Sequence, residues 1–464
     1  MNRRWLLFLA ICLISTILAS SLIIYELGLI GPSVPSGAPW QRTIENFAVN
    51  LAVVDGKVFT LDGTEGNVNC FDSQSGKSIW NSSIRGGWRS QGLVISGSQV
   101  YFGFPNSQVG CLDENTGKLL WTFQNEQAPN RIFKYSPGII VKDDRVFALT
   151  DTISAHNATT GELLWQAIPG GMRFGTIIGP NETWSVSGRA LNGDLFDANY
   201  VYVIAGDFSS MRFFKLNTDN GSILWSSDVT WDGTVLTWGV DYGVWAPRVL
   251  AVSQGQVIIK TVFSGTSAVH LLFALDSNSG KELWSINVGA DIYGPTVYNN
   301  LLLFSKADGY VYAVNLAKGT IEWKTKVDTQ NLFSFNSSFN NTVQTSPIKI
   351  DSQNQRLFWS LNVKESGPSS NYTGILCSLN LVNGNVKWLK QLENENASFG
   401  GSTGLVFNND TDKLFLTKNN GLWIFNASTG DFVQSQQFDH YVLSPIVQGN
   451  KTFVVGDLKL AAYV

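Results

Sequence analysis

The chain has 464 residues, 44% of them hydrophobic and 15% charged, a balance that builds a large buried core and speaks against global disorder. Its 32 basic and 36 acidic residues leave a formal charge of -4, so no nucleic-acid partner is indicated, because such binders carry a basic excess. Four cysteines speak against a disulfide scaffold, while 44 glycines and 16 tryptophans supply tight turns and large packing surfaces.

Arg3 and Arg4 precede an almost unbroken apolar run from Trp5 to Tyr25. About 20 apolar residues span a bilayer, so residues 1–28 are predicted to form one N-terminal signal anchor, a transmembrane helix. The two arginines stay cytoplasmic and send the remainder to the extracytoplasmic side. The rival reading is a signal peptide cleaved near Ala19-Ser20-Ser21, which would leave a secreted protein. Residues 29–39 are rich in Pro, Gly and Ser and read as an extended linker. The folded domain is predicted over 40–464.

That domain is a tandem repeat. An apolar strand runs into Asp or Asn, a short polar turn follows and ends on Gly, and Trp stands four residues after the Gly. The Gly/Trp pairs are Gly76/Trp80, Gly117/Trp121, Gly161/Trp165, Gly221/Trp225, Gly280/Trp284, Gly319/Trp323 and Gly384/Trp388. An eighth copy keeps Gly430 but carries Gln434 where Trp is expected. The chemistry is that of a hairpin. Asp or Asn bonds its own backbone two residues on, Gly accepts positive φ, and Trp opens the next strand, where it covers a neighbouring sheet. Two more strand-like runs precede each copy, as in Lys57–Leu61 and Arg145–Leu149. Each unit therefore supplies four strands, A to D, with Trp on D. Repeats of this kind predict an all-β fold, a β-propeller of four-stranded blades.

The segment Ala274-Leu-Asp-Ser-Asn-Ser-Gly-Lys-Glu-Leu-Trp284 resembles the tryptophan-docking motif of pyrroloquinoline-quinone (PQQ) type propellers, the family of quinoprotein alcohol dehydrogenases and of the outer-membrane assembly lipoprotein. The resemblance covers 40–464. Trp40 opens an isolated D strand, and the C-terminal residues read as strands A, B and C without D, so the two ends are expected to share one blade. Strict counting then gives nine blades, whereas the family resemblance favours eight, and eight is the expectation. The docking tryptophans are Trp40, Trp80, Trp121, Trp165, Trp225, Trp284, Trp323 and Trp388, with a structural role.

The resemblance also raises an enzyme reading, in which PQQ sits over calcium beneath a disulfide of adjacent cysteines. No adjacent pair exists among Cys12, Cys70, Cys111 and Cys377, and no haem-attachment motif occurs. His156, His270 and His440 lie in three different repeats and read as no metal site. The expectation is no catalytic residue, no metal and no cofactor, with PQQ and calcium entering only under the dehydrogenase alternative. Candidate ligand-binding residues lie in the segments from D to the next A, which lead back to the central funnel. These are Trp88, Arg89, Arg131, Arg173, Trp245, Tyr293 and His440. Guanidinium groups there suit carboxylates or phosphates, and aromatic faces suit rings.

Eleven Asn-x-Ser/Thr sequons, several on blade turns, fit an exported glycoprotein. The function predicted from sequence is a membrane-anchored extracytoplasmic propeller that acts as a binding or scaffold module. Its expected partners are the membrane, through the N-terminal helix, and a protein or an anionic glycan or small molecule. The alternatives are a diverged PQQ-dependent dehydrogenase and a surface polysaccharide-active enzyme.

Overall fold

In the computed structural model the described residues are 40–464 without 47, 83, 85–90, 105–107, 125–137, 150–152, 168–172, 175–195, 198, 207–210, 229, 232–233, 236–247, 265–267, 290–291, 307, 328–341, 365–371, 393–403, 419–420, 439–441 and 457. The predicted anchor and linker lie outside the described residues. Among the described residues there is no helix, and so none long and apolar enough to cross a membrane.

Eight antiparallel sheets follow the eight repeats in order. They are blade 1 (48–81), blade 2 (91–124), blade 3 (138–167), blade 4 (173–228), blade 5 (248–287), blade 6 (292–326), blade 7 (342–392) and blade 8 (404–437). Blade 9 is composite. Strands Ile446–Gln448, Lys451–Gly456 and Lys459–Tyr463 pair in succession, and Trp40–Thr43 from the other end of the chain adds as the outer strand. The register there sets Trp40 opposite Ala462 and Thr43 opposite Lys459. The termini therefore do share one blade, and the ring has nine blades rather than the eight expected. Two repeats have irregular A positions. In blade 4, Arg173–Phe174 and Phe196–Asp197 both pair with Tyr200–Gly206, and in blade 7, Thr342–Thr345 and Lys349–Asp351 both pair with Arg356–Lys364. Each still builds a full sheet, so neither repeat drops out of the count.

The core lies between blades. One cluster joins Phe59, Leu61, Val68 and Trp80 of blade 1 to Leu93, Val100, Phe102 and Leu112 of blade 2. Strands B and C are covered on both faces, so they read as nearly continuous apolar runs rather than alternating ones. Strand D is the outer edge. In all eight repeat blades the register slips by one residue just before the Trp position, so that Ile79, for example, has no partner between Ser78 and Trp80. Such a bulge twists an open edge and blunts its pairing with other chains.

Each D-strand tryptophan lies on the turn glycine of the next blade. The pairs are Trp40 on Gly76, Trp80 on Gly117, Trp121 on Gly161, Trp165 on Gly221, Trp225 on Gly280, Trp284 on Gly319, Trp323 on Gly384 and Trp388 on Gly430. Gly117 shows why the residue is glycine. Its φ is +67°, and a Cβ would fall 2.5 Å from the Trp80 ring. Seven of the indole Nε1 groups donate to the carbonyl that follows the turn Asp or Asn of that next blade, as Trp80 does to Glu114 at 2.8 Å. Trp323 packs in the same way, but Thr325 supplies the hydrogen bond there, donating to the Gly384 carbonyl at 2.8 Å. The one repeat without Trp, at Gln434 in blade 8, precedes blade 9. Strands C and D of blade 9 come from opposite chain ends, so no C–D turn and no glycine exist for a tryptophan to meet.

Candidate functional site

The meander gives the ring two unlike faces. A–B and C–D turns lie on one, called here the turn face. B–C loops and the segments from D to the next A lie on the other, the loop face. On the turn face, strand B often opens with a cation that reaches the next blade. Lys57 Nζ meets Glu114 Oε1 at 2.6 Å and Asn115 Oδ1 at 2.8 Å. Arg145 pairs with Asp219 at 2.8 Å. Lys413 donates to the Val464 carbonyl at 2.6 Å, and Lys451 donates to the Ser73 carbonyl at 3.2 Å and to Gln74 at 2.6 Å. Arg356 is the most buried of these. Its guanidinium bonds Asp351 in its own blade and both Asp412 and Ser428 in blade 8, each at 2.8 Å. The sequence reading missed this girdle, although its signal, a Lys or Arg directly after an A–B turn, recurs in five units.

On the loop face, blade 1 bears a polar cavity of about 350 Å³ lined by Glu45, Asn46, Asp62, Glu65, Asn67, Asn69, Asn81 and Ser82. Asp62 organises it. Its carboxylate accepts from the Thr64 and Glu65 amides at 2.6 and 3.2 Å and from Asn46 Nδ2 at 2.6 Å. Blade 6 bears a compact network at the same level. Lys306 lies 3.1 Å from Asp308, and the Tyr312 hydroxyl donates to Asp308 at 2.9 Å. Burial, then the bond to Asp308, pushes the Tyr312 phenol well above its ordinary value.

Of the predicted ligand residues, Trp88, Arg89, Arg131, Trp245 and His440 lie outside the described residues. Arg173 opens a two-residue strand that pairs with Gly206, which places its backbone on the loop-face end of blade 4. Tyr293 is half-buried in strand Ile292–Tyr298, and its carbonyl accepts from Ser305 Oγ at 3.3 Å. After blade 4, Thr230–Trp231 pairs antiparallel with Thr234–Val235.

No two cysteines are adjacent in the chain, so the disulfide that the family resemblance places beside a quinone–calcium centre has no counterpart here. Cys70, Cys111 and Cys377 are buried free thiols on C strands of three different blades, and burial pushes the first two up to about 12. A thiol so held is neither nucleophile nor metal ligand. Among the described residues no three His, Cys, Asp or Glu side chains converge as a metal site. His156 is buried against Phe123, with ring centroids 3.5 Å apart, and desolvation lowers its pKa.

A family model described as "Outer membrane protein assembly factor BamB" matches residues 35–228 and again 213–463. The protein of that name from Yersinia pestis is 24% identical over 270 residues, which cover 58% of this chain and 61% of that protein's length. The quinoprotein alcohol dehydrogenase PedH of Pseudomonas putida is 23% identical over 234 residues, 39% of each chain. In three dimensions a quinohemoprotein alcohol dehydrogenase, ADHIIG from Pseudomonas putida HK5, aligns with 92% of this chain and 76% of its own at a TM-score of 0.50 and 12% identity, a likeness of fold alone. Repeat, blade and docking contact agree with the family match along almost the whole folded domain, and the chain belongs to the BamB-like family of PQQ-type propellers.

Proposed function

We propose that this chain is a membrane-tethered scaffold on the extracytoplasmic side, whose loop face receives a partner. The observation that carries the reading is the division of labour between the faces. The cationic girdle and the indole hydrogen bonds that couple blades meet C–D turns or strand ends of the turn face. Long stretches of chain, 229–247 and 328–341, join a D strand to the next A strand, whose facing ends lie on the loop face, and another, 175–195, interrupts the A position of blade 4. Rigid walls with long segments on one face suit recognition. The name that several of the relatives share, outer membrane protein assembly factor, supports a protein partner at a membrane.

Arg89, Arg131 and Arg173 are proposed to line one mouth of that face, with Trp88 and Trp245 beside them, and to favour an acidic partner surface or anionic ligand. The apolar segment 1–28 is proposed as the tether. The test uses the full chain in native membranes, with a partner trapped by cross-linking. The triple variant Arg89→Ala, Arg131→Ala, Arg173→Ala should lose the partner while keeping its melting temperature, and wild-type binding should weaken with salt. Unchanged capture by the triple variant rejects the site. Turnover of an alcohol with added PQQ and calcium would replace the scaffold reading with a dehydrogenase.

A further inference from the structure

The outer D strands carry an uneven apolar burden. In blades 2, 3, 4 and 8 both residues just before the Trp position are large and apolar: Leu119/Leu120, Leu163/Leu164, Ile223/Leu224 and Phe432/Val433, each 46–55% exposed. In blades 1, 5, 6 and 7 one of the two is polar, as in Ser78/Ile79 or Val386/Lys387. Apolar pairs on an outward edge invite association. Sequons fall in the C–D turn of three of the four doubly apolar blades, at Asn157, Asn220 and Asn426, and in none of the C–D turns of the other four.

The three sequons share a geometry. Asn157 Oδ1 accepts from the Thr159 amide at 2.9 Å, Asn220 Oδ1 from the Ser222 amide at 2.9 Å, and Asn426 Oδ1 from the Ser428 amide at 3.0 Å. In each, the carboxamide oxygen accepts from the amide of the sequon's own hydroxyl residue, so the hydrogen bond engages Oδ1 and not Nδ2, the atom that glycosylation uses. The turns also sit against the apolar pairs. The Asn157 amide donates to the Glu162 carbonyl and the Asn426 amide to the Asp431 carbonyl, each at 2.8 Å and one residue short of the pair, and Asn220 precedes Ile223 by three residues.

We propose that Asn157, Asn220 and Asn426 are N-glycosylated and that their glycans cover the apolar pairs on the same D strands. This rests on the extracytoplasmic reading above. In the modification, Nδ2 bonds to the anomeric carbon of a glycan donor carried on a phosphate. The anomeric C–O bond breaks, the phosphate leaves with the electron pair, and the Nδ2 proton passes to a base of the transferase. Three of the four doubly apolar edges gain a cover in this way, and the Leu119/Leu120 pair of blade 2 has no sequon in its C–D turn.

The full chain is purified from its native membranes and mapped by peptide mass after enzymatic deglycosylation in heavy-oxygen water. Its sidedness is read separately, by protease added to intact cells. Glycan at all three asparagines is expected. The triple variant Thr159→Ala, Ser222→Ala, Ser428→Ala, which keeps each asparagine in its turn, should lose three glycan masses, bind an apolar dye more strongly and associate with rising concentration. Asn157→Gln, Asn220→Gln, Asn426→Gln should do the same while keeping the Ser428 hydroxyl. Glycan at Asn409 or Asn450 but not at these three overturns the sites and leaves the outward placement standing. Bare asparagines on a protease-accessible chain do the same. A chain protected from external protease removes the placement itself. Glycan at all three with both variants monomeric and dye-silent overturns the covering role.

Discussion

The indole of Trp80 lies flat against Gly117 of the following blade, and its Nε1 donates to the Glu114 carbonyl at 2.8 Å. Trp80 is 8% exposed, so truncating it opens a cavity at a blade interface. Trp80→Ala should cost about 3–5 kcal/mol. Gly117→Ala should be comparably damaging from the other side, because the added methyl meets both the ring and a positive φ. Denaturant midpoints check both, and a Gly117→Ala protein as stable as wild type removes the docking contact from the account.

Gln434 offers the converse test. Gln434→Trp restores the repeat consensus but faces blade 9, which has no turn glycine. The substitution should bring no gain in melting temperature, whereas Trp40→Ala, at the interface of blades 9 and 1, should lose about 3–5 kcal/mol. A clear stabilisation by Gln434→Trp would show that consensus alone, and not the partner glycine, sets the contact.

Arg356 is 6% exposed and Asp351 3% exposed. Burial pulls the Asp351 carboxyl up, but hydrogen bonds from Asn354 and Arg356 outweigh it and hold the group below its ordinary value. A depressed carboxyl contributes stability above its unfolded pKa of about 3.9, and that contribution is lost as pH falls through the lower folded value. Arg356→Met leaves Asp351 buried without its cation and should cost about 3–5 kcal/mol at neutral pH. The variant's acid transition should also move to higher pH. Unfolding curves from pH 3 to 7 measure both effects.

His156 gives a second pH signature. Its folded pKa lies below the unfolded value of about 6.5, so the neutral ring is the stabilising form. Its contribution is complete above pH 6.5 and declines as pH falls toward the folded value. His156→Gln should flatten the loss of stability on going from pH 7 to 5, and an unchanged slope would assign that loss to other groups.

The fold was readable because its signals are local and repeated. Asp72 shows this at one turn, accepting from the Ser75 amide at 2.7 Å and the Ser75 hydroxyl at 2.6 Å before Gly76 closes the hairpin. The blade count was readable from the repeats too, and family habit, together with the expectation of one irregular strand set, turned nine into eight. The girdle was not seen, because Lys57 and Glu114 stand 57 residues apart and nothing in either segment names the other. The loop-face cavity was missed for a similar reason. Asp62 ends strand B, Asn81 ends strand D and Asn46 precedes strand A of blade 1, so separate stretches of sequence build the cavity and none of them alone marks it.

Eight of the nine blade interfaces carry a tryptophan on a glycine, and the interface of blades 8 and 9 does not. A closed circle of identical units would have no preferred place to come apart. This one has a marked place, so its energetics are those of a line of nearest-neighbour couplings whose ends happen to touch. Blade 8 is the last to be gripped from one side, and blade 9 takes its outer strand from the far end of the chain, with no turn to tether it to strand C. Loss of structure therefore starts at that join and runs outward in both directions. Hydrogen exchange should be fastest on either side of it, while blades 3 to 5, farthest around the ring, exchange last.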